Sequence, residues 1–258
     1  MIDITYKRYG ILKSRLIYFP EQLPPTDGYH FIICRNCYSE LPLLPRFRKE
    51  MQPTAIIDLT QDLDKIFDKV HRTRRNAIRQ CSKINYQITF QEASMDVLEE
   101  FRLLYNRCIV RKGVQPIICL NAFKKLLPYM TIFKVAFDDT ILEMLIFIHD
   151  KSTVRAHLLT HNEDVSVEKK ICNFAGIFLY WEAIQYFKNL GYQTFDFGGI
   201  IPSHVSPAQG FTKFKLYFGG EIVPTYVYKA TITPAARVLK KIIEINDRLC
   251  KKLYLLKD

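Results

Sequence analysis

Hydrophobic and polar positions along this chain follow two periods, and the changes of period mark its elements. The first 60 residues carry short alternating runs, "DITYKRY", "SRLIYF", "YHFIIC" and "TAIIDL", the pattern of half-buried strands. Proline-rich connections such as "EQLPPTDG" and "ELPLLP" separate them. From about Gln61 to Lys83 the period lengthens. Leu63, Ile66, Phe67, Val70, Ala77, Ile78 and Cys81 fall on one helical stripe. Thr60 is the expected N-cap, with Asp62 and Asp64 in the first turn, where the helix dipole favours acids.

From residue 86 the pattern predicts a strand at 86–91, helices at 95–108 and 120–127, and strands at 132–137, 141–149 and 153–161. A helix at 171–190, a strand at 193–197, a short helix near 207–216 and a strand at 221–228 follow. A long C-terminal helix starts after Thr233-Pro234. Two tight links, Asp138-Asp139 and residues 150–152, make strands 132–161 an antiparallel meander. The expected fold class is mixed α/β: a central mixed sheet flanked by helices. Four segments are expected: a strand-rich part over 1–60, a basic amphipathic helix over 61–84, a main domain over 85–230 and an amphipathic C-terminal helix over 231–258.

Composition narrows the class. The 258 residues suit one large domain or two small ones, and 48% hydrophobic content with 18 Phe supplies a sizeable core. The start, MIDITYKRYG, has no apolar signal region. No apolar run approaches the roughly 20 residues of a spanning helix; the densest, residues 141–149, is interrupted by Glu143. A cytoplasmic protein is expected. Seven cysteines (Cys34, Cys37, Cys81, Cys108, Cys119, Cys172, Cys250) are odd in number and scattered, as buried reduced thiols would be. Cys34-x-x-Cys37 lacks a second pair at metal spacing, so no metal site is expected.

The net charge of +11 is local. Residues 65–83 hold seven Lys/Arg against one acid, and residues 233–258 hold seven against three. On the expected basic helix Lys65, Lys69, Arg72, Arg79 and Lys83 form one line, either a solvated face or an anion-binding one. Arg74 falls in the apolar stripe beside Val70, Ala77 and Cys81. A buried guanidinium needs a partner, so it either meets a carboxylate or points into a ligand cleft. In the tail, Val238, Ile242, Ile245, Leu249 and Leu253 form a stripe beside Lys240, Lys241, Lys251 and Lys252. It packs on the N-terminal part or lies on an anionic membrane surface.

Candidate chemistry gathers in two strands. In "GYQTFDFGGI" (191–200) a strand reaches Asp196 and stops at Gly198-Gly199. Along 153–161 the alternation would send Arg155, His157, Leu159 and His161 to one face, a polar row that suggests a cleft. His157 and His161 are the candidate catalytic histidines, beside the alternative of satisfied core or rim residues.

The words around them are more specific. "LYWEAIQYFKNLGYQTFDFGGI" (179–200) followed by "FTKFKLYFGGEIVP" (211–224) resembles the FemABX family, which builds peptidoglycan interpeptide bridges. "RTRRNAIRQCSK" (72–83) resembles the arginine-rich helix before that family's transferase half, and the element order resembles the GNAT acetyltransferase-like fold. The resemblance covers about residues 54–230. Family members usually carry two GNAT-like domains, whereas this chain has one complete copy and a short strand-rich part.

The resemblance implies an aminoacyl transferase acting from aminoacyl-tRNA onto an amine of a cell-wall precursor, without a cofactor. Lys215 matches the family's FK lysine and would stabilise charge on the reacting carbonyl or a nearby phosphate. Asp196 would accept or orient the amine's proton; alternatively it caps the turn or pairs with Lys213 or Lys215. Gly198 and Gly199 would let substrate or backbone approach, and Arg74, Arg75, Arg79 and Lys213 are candidate substrate-binding residues. Acyl-CoA is the rival co-substrate. The loop expected to cradle its pyrophosphate, residues 163–176, has no glycine before Gly176, although Lys169 and Lys170 could meet an RNA backbone. A non-catalytic module that holds an anionic envelope ligand is the remaining alternative.

Overall fold

The computed structural model of the protein describes residues 1–111, 120–200 and 209–242. Its strands are β1 (Ile2–Arg8), β2 (Leu12–Tyr18), β3 (Phe31–Cys37), β4 (Phe47–Met51), β5 (Thr54–Asp58), β6 (Tyr86–Glu92) and β7 (Met130–Phe137). They continue with β8 (Thr140–His149), β9 (Thr153–His161), β10 (Thr194–Gly199), β11 (Glu221–Val223) and β12 (Tyr226–Thr231). The helices are α1 (Leu63–Lys69), α2 (Arg72–Cys81), α3 (Met95–Arg111), α4 (Leu120–Leu126), α5 (Lys169–Asn189) and α6 (Gln209–Leu216). Residues 234–242 are also helical. Ile245, Leu249, Leu253, Lys251 and Lys252 of the expected tail stripe lie outside the described residues, as do Cys119 and Cys250.

The chain divides into two compact units. The first takes residues 1–51, 109–126 and 225–258. Its five-stranded sheet runs β1-β2-β3-β12-β4, antiparallel except for the parallel pair β2/β3. Ile17, Ile32, Cys34, Cys37, Phe47 and Tyr228 form its core. Burial pushes the Cys34 and Cys37 thiols up to about 12. They are protonated strand thiols, poorly suited to nucleophilic work.

The second unit takes residues 52–108 and 127–224, and its seven-stranded sheet runs β11-β5-β10-β9-β8-β7-β6. β9 and β10 are parallel and joined by α5; every other pair is antiparallel. The β7–β8 link turns through Asp138 and Asp139, both at positive φ (47° and 61°), which suits a two-residue hairpin. Phe133, Phe147, Phe195 and Phe197 of the sheet pack with Tyr180 and Phe187 of α5. α2 packs on α5 as well. That explains why α5 buries residues around most of its circumference, Trp181 among them.

Three expectations change. The helix expected over 61–83 is two helices, broken where Val70 and His71 are extended (ψ 131° and 140°). Asp62, not Thr60, is the N-cap of α1, and His71 caps α2 by accepting the Thr73 N–H at 3.3 Å. His71 also donates its own N–H to the Tyr217 carbonyl at 2.9 Å and stacks on that ring at 4.1 Å. The break is therefore made by the turn after α6. In that turn Gly219 has φ +83°, and a Cβ there would stand 2.9 Å from the Lys69 carbonyl. Only glycine fits both demands.

The strand expected at 221–228 is split between the two sheets as β11 and β12, with Pro224 between them. Proline has no N–H to continue a ladder. The third change lies in β9. Its register against β8 skips a residue: Phe147 faces Ala156 while Ile146 faces Leu158. A bulge at His157 reverses the alternation beyond it. Leu159 and His161 therefore share the α5 face with Glu143, and Arg155 lies on the opposite face.

Candidate functional site

Two groups of buried polar residues lie in the second unit. The first sits where the parallel ladder of β9 and β10 ends, at the pair Arg155 and Asp196. Asp196 is fully buried and ion-paired with Arg155, which is itself 9% exposed. The Thr54 hydroxyl donates to Oδ1 of Asp196, and Nη1 of Arg155 lies 3.2 Å from that hydroxyl oxygen. The Gly198 N–H donates to Oδ1 at 2.7 Å. Asp196 thus caps the turn that follows it and is ion-paired with Arg155, and its charge also acts on Lys215. Gly198 stands at φ +83°, where a Cβ would come within 3.0 Å of the Ala156 carbonyl.

Lys215, on α6, belongs to the same group. Its side chain is 2% exposed, and Nζ donates to the Gly199 carbonyl at 2.6 Å. Burial, and then the Arg155 charge, lower its pKa to about 8, with Asp196 acting in the opposite sense. Arg155 and Lys215 bring two positive charges to the one negative charge of Asp196. The ammonium also lies 4.5 Å from the ring centroid of Phe211.

The second group lines a cavity of about 640 Å³. Its wall includes Glu143 of β8, His161 of β9, Lys169 and Cys172 of α5, and Phe211 and Phe214 of α6. Nδ1 of His161 lies 3.4 Å from Oε1 of Glu143. Among the described residues Oε2 of Glu143 has no hydrogen-bond partner. Burial raises the pKa of this carboxyl, opposed by His161. The room for it comes from Gly176, where a Cβ would stand 2.7 Å from Oε2. Gly176 lies inside α5, so the glycine nearest the expected pyrophosphate loop accommodates a carboxyl instead.

The remaining candidates fall elsewhere. Arg74 stacks on Phe214 and Phe218, at 4.5 and 5.0 Å from their centroids, and its buried Nε has no partner among the described residues. Among the described residues no carboxylate pairs with it, and one of the two rings, Phe214, lines the cavity. Arg75 donates to the Asp68 carbonyl at 2.8 Å, and Arg79 lies over Phe67 at 5.5 Å. Lys213 is exposed beside the Tyr217 ring. His157 is half-buried at the bulge. Sequence reasoning passed over Glu143, Gly176 and Thr54. The usable signal was Glu143 itself, an acid inside the most apolar run of the chain.

A mixed sheet with one parallel crossover around a central helix, opening beside the buried Arg155–Asp196 pair, defines a GNAT-like α/β fold. Solved structures agree. The crystal structure of FemX aligns with 84% of this chain and 75% of its own at 13% identity, with a TM-score of 0.59. The C-terminal DUF2156 domain of an Agrobacterium fabrum protein gives 0.55 at 13% identity over 92% of this chain and 86% of its own. The structure of L-PGS from Bacillus licheniformis gives 0.52 at 15% identity over 87% and 74%. No family model matches the sequence, and no curated protein matches it. At these identities the comparisons establish the fold, and the resemblance carried by DFGG and FK-x-x-FGG is borne out at that level.

Proposed function

We propose that this chain is an acyltransferase that moves an aminoacyl group from aminoacyl-tRNA onto an amine of a cell-envelope precursor of the peptidoglycan type. The observation that carries the reading is the buried excess of positive charge formed by Arg155 and Lys215 around Asp196. Attack of an amine on an ester makes the carbonyl oxygen negative. A preorganised cation in a desolvated site stabilises that charge more than water can. Lys215 is the group suited to this role, since its helix lines the cavity through Phe211 and Phe214. Asp196 holds Arg155 and the Gly198 turn in place, making it a positioning residue.

Acyl-CoA is the second donor supported by an observation. Lys169 and Cys172, in the first turns of α5, line the cavity, with Glu168 as the N-cap and Lys169 as the cation able to offset it. Free amides at a helix N-terminus together with a lysine can meet phosphate.

The test incubates the full chain with a nucleotide-linked muropeptide and either aminoacyl-tRNA or acetyl-CoA, with products read by mass spectrometry. The expected product is a muropeptide heavier by one aminoacyl group, formed only with aminoacyl-tRNA and lost in Lys215→Met. Acetylation from acetyl-CoA alone would replace the donor. Ligand binding with no product from either donor would replace the enzyme by a binding module.

A further inference from the structure

The Glu143 carboxyl is used by nothing in the transfer chemistry above, yet it is the most unusual group in the second unit. It is 9% exposed and borders a cavity large enough for a small ligand. One oxygen lies near His161, and the other has no partner among the described residues. Burying an acid with an open oxygen costs stability, and a ligand that completes its hydrogen bonds recovers that cost. α5 adds a second cost, because a glycine inside a helix is less favourable than an alanine. The absent Cβ leaves the carboxyl its place.

We propose that Glu143 is the docking site of a primary ammonium group. Three features select this ligand. A buried carboxyl gains most from a partner that is both a cation and a hydrogen-bond donor. A guanidinium prefers two parallel bonds to both carboxylate oxygens, whereas His161 already occupies the Oε1 side. Finally, Phe211 and Phe214 in the same wall offer ring faces to a cation, and Leu159 offers apolar surface to its alkyl chain. The other ionisable groups acting on or from Glu143 are His161 on β9, Cys172 and Tyr180 on α5, and Tyr86 on β6. None of these carries a permanent positive charge, and Lys169, the permanent cation in the cavity wall, is exposed to solvent.

Within the acyl-transfer reading, on which the identity of the ligand rests, the ammonium has two sources: the acceptor amine, or the free α-amino group of the aminoacyl donor. The test is a calorimetric titration of the full chain, without any acyl donor, using n-butylamine against n-butanol and L-alaninamide against propanamide. Each charged probe is expected to bind roughly tenfold or more tightly than its neutral counterpart. The preference should vanish in Glu143→Gln, which keeps the side-chain size. Gly176→Ala, which displaces the carboxyl without removing it, should weaken the preference. Stronger binding of alaninamide assigns the site to the donor's amino group, and stronger binding of butylamine assigns it to the acceptor. Equal binding of charged and neutral probes, or a preference that survives in Glu143→Gln, overturns the proposal. Amine binding in a protein that performs no transfer would overturn the acyltransferase reading alone.

Discussion

Gly176 of α5 and Glu143 of β8 are in direct contact: a Cβ on the glycine would lie 2.7 Å from Oε2, 3.1 Å from Oε1 and 3.2 Å from Cδ of the acid. Helix and strand are built around the absence of a methyl group. Glycine inside a helix is unfavourable by about 1 kcal/mol relative to alanine, so Gly176→Ala should stabilise the fold unless the carboxyl resists displacement. The two effects separate in a double-mutant cycle. In the Glu143→Ala background, Gly176→Ala is expected to add about 1 kcal/mol. In the native background the gain is expected to be smaller or reversed. Urea unfolding of the four proteins measures the coupling, and equal effects in both backgrounds would mean the carboxyl moves aside without cost.

Arg155 and Asp196 form a buried ion pair at the end of the β9/β10 ladder. Removing one partner of such a pair costs about 3–5 kcal/mol, because the other charge is left uncompensated. Asp196→Asn leaves Arg155 and Lys215 together with no negative charge between them, so it should fall at the upper end. Arg155→Met leaves Lys215 as a counter-charge for Asp196 and should cost less. Chemical denaturation gives the order, and an Asp196→Asn variant as stable as the native protein would remove the pair from any account of this fold.

These residues show what was legible in the chain. The strand at 153–161 was placed with its observed bounds, because a tight turn before it and a clear alternation are local signals. The direction of its side chains was not legible. The bulge at His157 arises from pairing with β8 and reverses the expected face of Leu159 and His161. The helix over 61–83 failed for a similar reason: its stripe is continuous, and the break comes from Tyr217 and Gly219 of a distant turn. The glycines of DFGG and FGG were visible as a motif, and the structure gives Gly198 and Gly219 steric causes. Glu143 was visible too, but an acid in an apolar run gains meaning only with the cavity and the helix facing it.

Arg74 meets no carboxylate among the described residues and stacks on two rings, with burial lowering its pKa. A desolvated cation over an aromatic face is worth about 2 kcal/mol, and the side chain's stem contributes packing. Against this stands the unpartnered Nε. Arg74→Ala should therefore cost about 1–2 kcal/mol, and Arg74→Met, which keeps the stem, should recover most of it. Thermal unfolding of both variants checks the order. Normal stability of Arg74→Ala with weakened binding of an anionic substrate would return this arginine to the binding residues.

Lys215 gives the clearest dependence on pH. Its folded pKa of about 8 lies below the ordinary lysine value of 10.5, so the unfolded chain binds more protons between those two pH values. Stability contributed by this residue therefore rises with pH across the window. Below pH 8 the buried ammonium carries its full desolvation cost, and above 10.5 the cost is gone. Lys215→Met lacks the titration, so its stability relative to the native protein should fall by about 3 kcal/mol from pH 8 to 10.5. Transfer activity should move the other way, declining as pH rises through 8 and the ammonium loses its proton. Unfolding free energies of the two proteins at half-unit pH intervals provide the measurement. A flat difference would show that Lys215 titrates as an ordinary solvated lysine, which would remove the desolvated ammonium on which the proposed transfer chemistry rests.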